Sequence, residues 1–148
     1  MEREMLVAAS YIRTGIPGEP VDVQRILIKM FAKANGLILR DNLWFIDDGL
    51  SGFTPFLSRP AGRQIVEATA ETHFDVLIFA DMGHAIRGAS DAVITADYLQ
   101  NLGLILLSAY EKTKVSYSCN CLQDRIDLCF DDFYYDREER ARRMIDGS

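Results

Sequence analysis

The stretch MLVAASYIRTGIPGEP, residues 5–20, joins an apolar run to a loop that contains two glycines and two prolines. The apolar run has the length and composition of a buried β-strand. A helix pattern opens at Pro20 and Asp22 and ends at Asn35-Gly36. Its predicted apolar face consists of Val23, Leu27, Met30, Phe31 and Ala34. A loop that leaves a strand and enters a helix is where α/β proteins usually bind ligands, so we expect an α/β fold with a functional loop at residues 11–20.

Further apolar runs repeat this alternation of strands and helices along the chain. The additional predicted strands cover residues 42–47, 75–80, 104–109 and, as a half-exposed edge strand, 114–121. The additional predicted helices cover residues 58–72 and 90–102, with one long helix from residue 122 onward. We therefore expect a single α/β domain over residues 1–121, with a mostly parallel sheet of four to five strands flanked by helices. A long C-terminal helix over residues 122–148 completes the prediction.

Composition excludes several classes of protein. The chain has 148 residues, of which 49% are hydrophobic and 26% charged, as in ordinary globular domains. The net charge of −6 argues against a strong, free-standing nucleic-acid binder, because attraction to phosphates needs clustered Lys and Arg. Three cysteines without zinc or disulfide spacing favour reduced thiols, and no apolar stretch is long enough to span a bilayer. We expect a cytoplasmic protein without a cofactor, a metal site or a membrane anchor.

The loops lack the common motifs of phosphate and metal sites. Gly15-x-x-Gly18 has neither the GxGxxG spacing nor a following Lys-Ser/Thr, so a tight turn that needs glycine is the plain interpretation. His73 and His84 are too isolated for a metal pair. The acidic pair at 47–48 suits a solvated loop better than a cation site.

Arginine placement is more informative. Arg13, Arg59 and Arg87 each follow the end of a predicted strand or lie in the loop after it. Carboxyl ends of parallel strands meet at one edge of the sheet, and convergent arginines there suit an oxyanion or a phosphodiester. Scattered surface arginines remain the alternative on spacing alone.

Four segments resemble, in the right order, motifs of the serine recombinases, the resolvase and invertase family. Residues 11–25 are similar to the family's Tyr-x-Arg-Val-Ser-Thr signature with its later Gln, and residues 47–60 resemble its Asp-x-x-x-Ser-Gly…Arg-Pro segment. Residues 74–87 resemble a strand and turn that end in Asp-Arg-Leu-Ser/Gly-Arg, and residues 130–138 resemble a long helix with an acidic residue before Arg. The matching residues are Tyr11, Arg13, Gln24, Ser51, Gly52, Arg59, Pro60, Arg87, Asp136 and Arg137.

The resemblance implies a resolvase-like fold and a mechanism in which a serine oxygen attacks a DNA phosphodiester. A covalent phosphoserine forms, and arginines stabilise the charged transition state. The family's catalytic positions that the resemblance finds retained are Arg13, Gln24, Ser51, Arg59 and Arg87.

Other family positions are altered. Gly15 stands in place of the nucleophilic serine, and Glu19 in place of a usual Gln. Gly83 and His84 replace an Asp-Arg pair, while Asp136 occupies the acidic position of the long helix. The family normally carries a DNA-binding region after that helix, and as a further departure we expect no separate DNA-binding domain in this chain.

The favoured hypothesis is a recombinase-type domain that is catalytically inactive, because covalent catalysis requires a nucleophile and glycine has no side chain. It would form a homodimer or a hetero-oligomer with a related recombinase through its long helix, with only weak DNA binding alone. Two alternatives stay open. One is an active recombinase with a substitute nucleophile such as Ser10, Thr14 or Ser51; the other is a small phosphate- or nucleotide-binding α/β protein.

Overall fold

Strand β1, Val7–Arg13, lies inside a four-stranded parallel sheet in the computed structural model, which describes residues 5–110. The other strands are β2 (Ile38–Asp47), β3 (Val76–Phe79) and β4 (Ile105–Ser108), in the spatial order β2-β1-β3-β4. All pairings between them are parallel. Buried side chains run along β1 and β3 without a polar alternation, as expected for strands covered on both faces. The predicted α/β fold with a parallel sheet is confirmed.

The order of the strands places the helices on both faces of the sheet. Helix α1 (Asp22–Ala34) links β1 to β2, and α2 (Pro60–Glu71) links β2 to β3 in the opposite direction across the sheet. Right-handed crossovers therefore put α1 on one face and α2 on the other, together with α4 (Ala89–Asn101). The chain leaves β1 and β3 in opposite directions, so a crevice opens between their carboxyl ends.

The predicted apolar face of α1 is wrong in part. Val23 and Met30 are 77% and 66% exposed, whereas the side chains that pack inward are Ile28, Phe31 and Ala32. The helix carries two apolar stripes at helical spacing, and periodicity alone does not say which one meets the sheet.

Strand β2 begins at Ile38, four residues before its predicted start at Asn42. Its first half, residues 38–42, is mostly exposed and ends in three polar residues, which is tolerated because β2 lies at an edge of the described sheet and pairs only with β1. A shift of register between Ala8 and Ser10 separates the two halves of this pairing. Two short elements were not predicted: a 3-10 turn at Phe56–Ser58 and the one-turn helix α3 at Met82–Ala85.

The 3-10 turn packs closely against the carboxyl ends of the central strands. Rings of Tyr11, Phe56 and Phe79 meet at centroid distances of 4.9, 5.6 and 5.9 Å, mostly edge to face. A Cβ atom on Gly62 would lie 2.1 Å from the carbonyl oxygen of Phe56. Only glycine at this position lets the first turn of α2 approach the 3-10 turn so closely.

Several predictions for the C-terminal part lie outside the described residues. These are the edge strand at 114–121, the long helix at 122–148, the boundary between the two regions, and Asp136. Within residues 5–110, no helix is both long and apolar enough to cross a membrane.

Candidate functional site

A cleft of about 550 Å³ opens at the carboxyl ends of β1 and β3, beside the start of α1 and the short helix α3. This volume lies within the range of small-molecule and cofactor sites. Its wall combines polar groups with apolar ones such as Ile16, Val23 and Tyr110. Five residues predicted from the sequence meet in the cleft: Arg13, Gly15, Glu19, Gln24 and His84.

Arg13 is the last residue of β1 and lies at the floor of the cleft. Its Nε donates to the carbonyl oxygen of His84 at 3.2 Å, and its Nη1 donates to that of Leu50 at 2.5 Å. Gln24 Nε2 donates to the carbonyl oxygen of Arg13 at 3.3 Å, which ties the first turn of α1 to the end of the strand. These contacts fix the direction of the guanidinium before any ligand arrives.

The three arginines form one cationic cluster. Burial lowers the pKa of Arg13, and the positive charges of Arg59 and Arg87 lower this pKa further. Within residues 5–110, none of the three side chains forms an ion pair with a carboxylate. A cationic cluster in which no arginine is paired directly with a carboxylate suits an anionic ligand.

Arg59 lies beneath the cleft, fully enclosed, with 0% of its surface exposed. Its Nε donates to Thr54 O at 2.9 Å, and its Nη2 donates to Gly52 O at 3.1 Å. Its Nη1 donates both to Ala85 O at 2.8 Å and to the Tyr11 hydroxyl oxygen at 3.0 Å. The sequence placed Arg59 with the ligand-facing arginines, but in this structure its donors hold protein oxygens from three segments.

Asp47 balances the buried charge of Arg59 through Tyr11. The Tyr11 hydroxyl donates to Asp47 Oδ2 at 2.7 Å, and Asp47 Oδ1 accepts the backbone N–H of Ala61 at 2.9 Å. Ala61 lies in the first turn of α2, where a carboxylate is favoured by the exposed N–H groups of the helix. Burial raises the pKa of Tyr11 well above its usual value, so this hydroxyl stays protonated. The sequence interpretation of residues 47–48 as a solvated pair missed this role of Asp47. The one sequence signal for it was Pro60, which begins α2 and so predicts free N–H groups there for a carboxylate.

Arg87 is exposed and rests on the loop after β2. Its backbone N–H donates to Gly52 O at 2.9 Å, and its guanidinium carbon lies 5.5 Å from the centre of the Phe53 ring. A Cβ atom on Gly52 would lie 2.5 Å from Cγ of Arg87, so the absent side chain leaves room for the arginine stem. Ser51 is also exposed, and its Oγ accepts the N–H of Phe53 at 3.1 Å. Arg87 is thus available to a ligand, while Ser51 stabilises the turn beneath it.

Gly15 lies at the mouth of the cleft with a backbone that any residue could adopt. Its φ is not positive, whereas Gly18 has φ of 80° and is the glycine that the turn requires. A Cβ atom on Gly15 would lie 3.4 Å from Nη1 of Arg13, an ordinary contact distance. A side chain at position 15 would therefore point toward the Arg13 guanidinium, and no backbone strain explains the glycine.

The hydroxyl groups near position 15 are turned away or buried. Thr14 is buried; its Oγ1 donates to Asp48 Oδ1 at 2.5 Å and accepts the N–H of Gly49 at 3.0 Å. The hydrogen bond from the Thr14 hydroxyl and, next, that from the Gly18 N–H hold the pKa of Asp48 below its usual value. Ser10 is 1% exposed within β1. Neither hydroxyl reaches the cleft.

The turn after β3 carries Asp81 and His84, and neither of them is an arginine or a lysine. Asp81 Oδ1 accepts the backbone N–H of His84 at 3.3 Å and so caps α3, while Oδ2 lies 3.7 Å from Nε2 of His84. Gly83 and His84 are both exposed. Among the residues from 5 to 110, no three potential metal ligands come together.

The comparisons with known proteins agree with this fold. The N-terminal catalytic domain of TP901-1 integrase superimposes with a TM-score of 0.64 at 20% identity, covering 89% of this chain and 97% of that one. A resolvase family site-specific recombinase from Streptococcus pneumoniae gives a TM-score of 0.63 at 16% identity, covering 96% of this chain and 95% of the other. A search of curated protein sequences found no match. The family described as "Resolvase, N terminal domain" matches residues 8–143, and the chain therefore belongs to this family of serine recombinase catalytic domains.

Proposed function

We propose that this chain is a resolvase-type domain that does not cleave DNA and that acts in DNA recombination by assembling with a second recombinase chain. The observation that carries the proposal is Gly15. It stands where the family resemblance expects the nucleophilic serine, next to the retained Arg13. The site thus keeps a group that binds phosphate and lacks the group that attacks it.

The absence of a serine oxygen at position 15 decides whether the site can cleave DNA. Cleavage by this family's mechanism requires a serine oxygen to form a bond to phosphorus while the bond to a sugar oxygen breaks. In serine hydrolases, loss of the nucleophile costs on the order of 10⁶ in kcat. Thr14 and Ser10 are buried, and Ser51 is not among the residues that line the cleft, so none of them is a ready substitute.

Binding to DNA remains part of the proposal in a weak form. Arg13 supplies positive charge in the cleft and the exposed Arg87 adds to it from outside the lining, but the net charge of −6 limits attraction to the DNA backbone. A partner recombinase would therefore supply most of the affinity for DNA. We propose the long helix predicted at 122–148 as the contact with this partner, in the cytoplasm as the composition suggests.

Strand cleavage is tested with a nicked suicide DNA substrate, which traps any covalent protein–DNA intermediate on a denaturing gel. We expect no covalent band from this chain under conditions in which the catalytic chain of an active serine recombinase gives one. A band that survives denaturation would overturn the proposal.

Assembly is tested separately by light scattering over a range of protein concentrations. We expect a mass that rises toward a dimer, either for the chain alone or after mixing with a related recombinase. A strict monomer in both conditions would remove the partner from the proposal.

A second function is favoured by the size of the cleft: binding of a phosphorylated metabolite or nucleotide. A volume of about 550 Å³ with Arg13 at its floor would accommodate such a ligand. A ligand at 100 times its Kd adds about 2.7 kcal/mol to the stability of the folded state. Strong thermal stabilisation by nucleotides without any effect of DNA would favour this function over the first.

A further inference from the structure

Glu19 lines the cleft together with Gly15 and Arg13, and these three residues form the Arg13–Gly15 corner. Its Oε2 accepts the backbone N–H of Gly15 at 3.2 Å, and its own N–H donates to Ile16 O at 3.1 Å. The loop thus folds its own carboxylate back onto position 15. The negative charge of Glu19 also raises the pKa of Arg13, although less than burial lowers it.

The same corner has the features of an anion site. Gly15 and Arg13 line the same cleft, and a Cβ on Gly15 would lie 3.4 Å from Nη1 of Arg13. The described contacts of Arg13 use Nε and one N–H of Nη1, toward His84 O and Leu50 O. Further guanidinium N–H groups remain for an oxyanion, which arginine binds well through paired donors.

Carboxylate and phosphate oxygens are acceptors of the same kind, so Glu19 and a phosphate group would seek the same donors. They cannot do so together without cost, because two negative charges a few ångströms apart repel each other. The glutamine that the family usually has at this position would offer an uncharged amide instead.

We propose that Glu19 is an internal competitor of phosphate at the Arg13–Gly15 corner and lowers the affinity of this domain for a DNA phosphodiester. The proposal rests on the proposed function insofar as the phosphate belongs to DNA. The corner itself depends only on the contacts of Glu19, Gly15 and Arg13.

The test compares full-length variants in a fluorescence anisotropy titration with a labelled DNA duplex at low ionic strength. Glu19→Gln removes the charge and keeps an acceptor oxygen for the Gly15 N–H. Glu67→Gln is the matched control, because Glu67 is an exposed residue of α2 on the opposite face of the sheet and its change alters the net charge equally. We expect Glu19→Gln to bind about three- to tenfold more tightly than the parent chain, and the control to stay within about twofold.

A second change locates the gain. In the Glu19→Gln background, Arg13→Met should return the affinity to that of the parent chain or below. Equal affinities for Glu19→Gln and Glu67→Gln would overturn the inference, as would a gain that survives the loss of Arg13.

Inorganic phosphate separates this inference from the proposed function. The same variants are heated with and without phosphate, and the Glu19→Gln chain should gain more in Tm than the control. If phosphate stabilises Glu19→Gln while DNA binds no variant, the competition stands and the DNA part of the proposed function fails. If neither probe distinguishes Glu19→Gln from Glu67→Gln, the inference is wrong.

Discussion

Arg59→Met removes a buried cation whose hydrogen bonds join three segments of the chain beneath the cleft. Methionine has a similar length and fills the space without any donor. The change leaves Ala85 O and the Tyr11 hydroxyl oxygen without their partner in a fully buried position. Gly52 O retains one donor, the backbone N–H of Arg87. The carboxylate of Asp47, which is linked to Arg59 by the Tyr11 hydroxyl, also loses the positive charge of that arginine.

Removal of one member of a buried charged network costs about 3–5 kcal/mol of unfolding free energy. For a domain of this size, that loss lowers Tm by about 10–15 °C. The measurement is urea denaturation followed by circular dichroism, with Tm as a second reading. Arg63→Met is the control, because Arg63 is an exposed arginine one turn later in α2. If Arg59→Met lowered the free energy of unfolding by less than about 1 kcal/mol, as the control does, the Arg59 side chain would not be what holds residues 52–54 in place.

Two further changes test contacts outside the cleft lining: the packing of α2 against the 3-10 turn, and the hydrogen bonds of Asp48. Gly62→Ala should lower the free energy of unfolding by about 2–3 kcal/mol, because the new Cβ would lie 2.1 Å from the Phe56 carbonyl oxygen. The measurement is urea denaturation. An unchanged midpoint would contradict the close approach of α2 to the 3-10 turn. Asp48→Asn should flatten the acid side of the plot of Tm against pH. The hydrogen bonds from Thr14 and Gly18 lower the folded-state pKa of Asp48, so its contribution is present above the ordinary carboxyl pKa of about 4 and is lost as pH falls through the lowered value. Equal slopes for variant and parent below about pH 4 would refute this assignment.

The fold was predictable because its strongest signals are local. Uninterrupted apolar runs at residues 5–12 and 75–80 indicate strands covered on both faces, and β1 and β3 lie there. Helix starts and ends followed from Pro60, Asn35 and Gly103, which act through backbone geometry alone. Signals that depend on a distant partner gave less: β2 contains polar residues at 40–42, and its start at Ile38 belongs to the strand through pairing with β1.

The sequence predicted which candidate residues would lie near one edge of the sheet better than how their side chains would be arranged. Spacing brought Arg13, Arg59 and Arg87 to one edge of the sheet, because carboxyl ends of parallel strands meet there. It did not show that Arg59 is enclosed by carbonyl oxygens, since that depends on how residues 52–54 fold back over it. The contact of Glu19 with the Gly15 N–H likewise depends on the turn between them. Such contacts are set by loop conformation, which residue types alone do not determine.

The central claim is that Gly15, together with the altered positions 83 and 84, separates this domain from a cleaving one, and one gel tests it most directly. The parent chain and its Gly15→Ser, Gly83→Asp, His84→Arg variant are each fused to the DNA-binding region of an active serine recombinase and incubated with a suicide DNA substrate. The account predicts a covalent protein–DNA band for the triple variant alone, because the backbone at position 15 accepts a side chain beside Arg13. A covalent band from the unmodified fusion would contradict it.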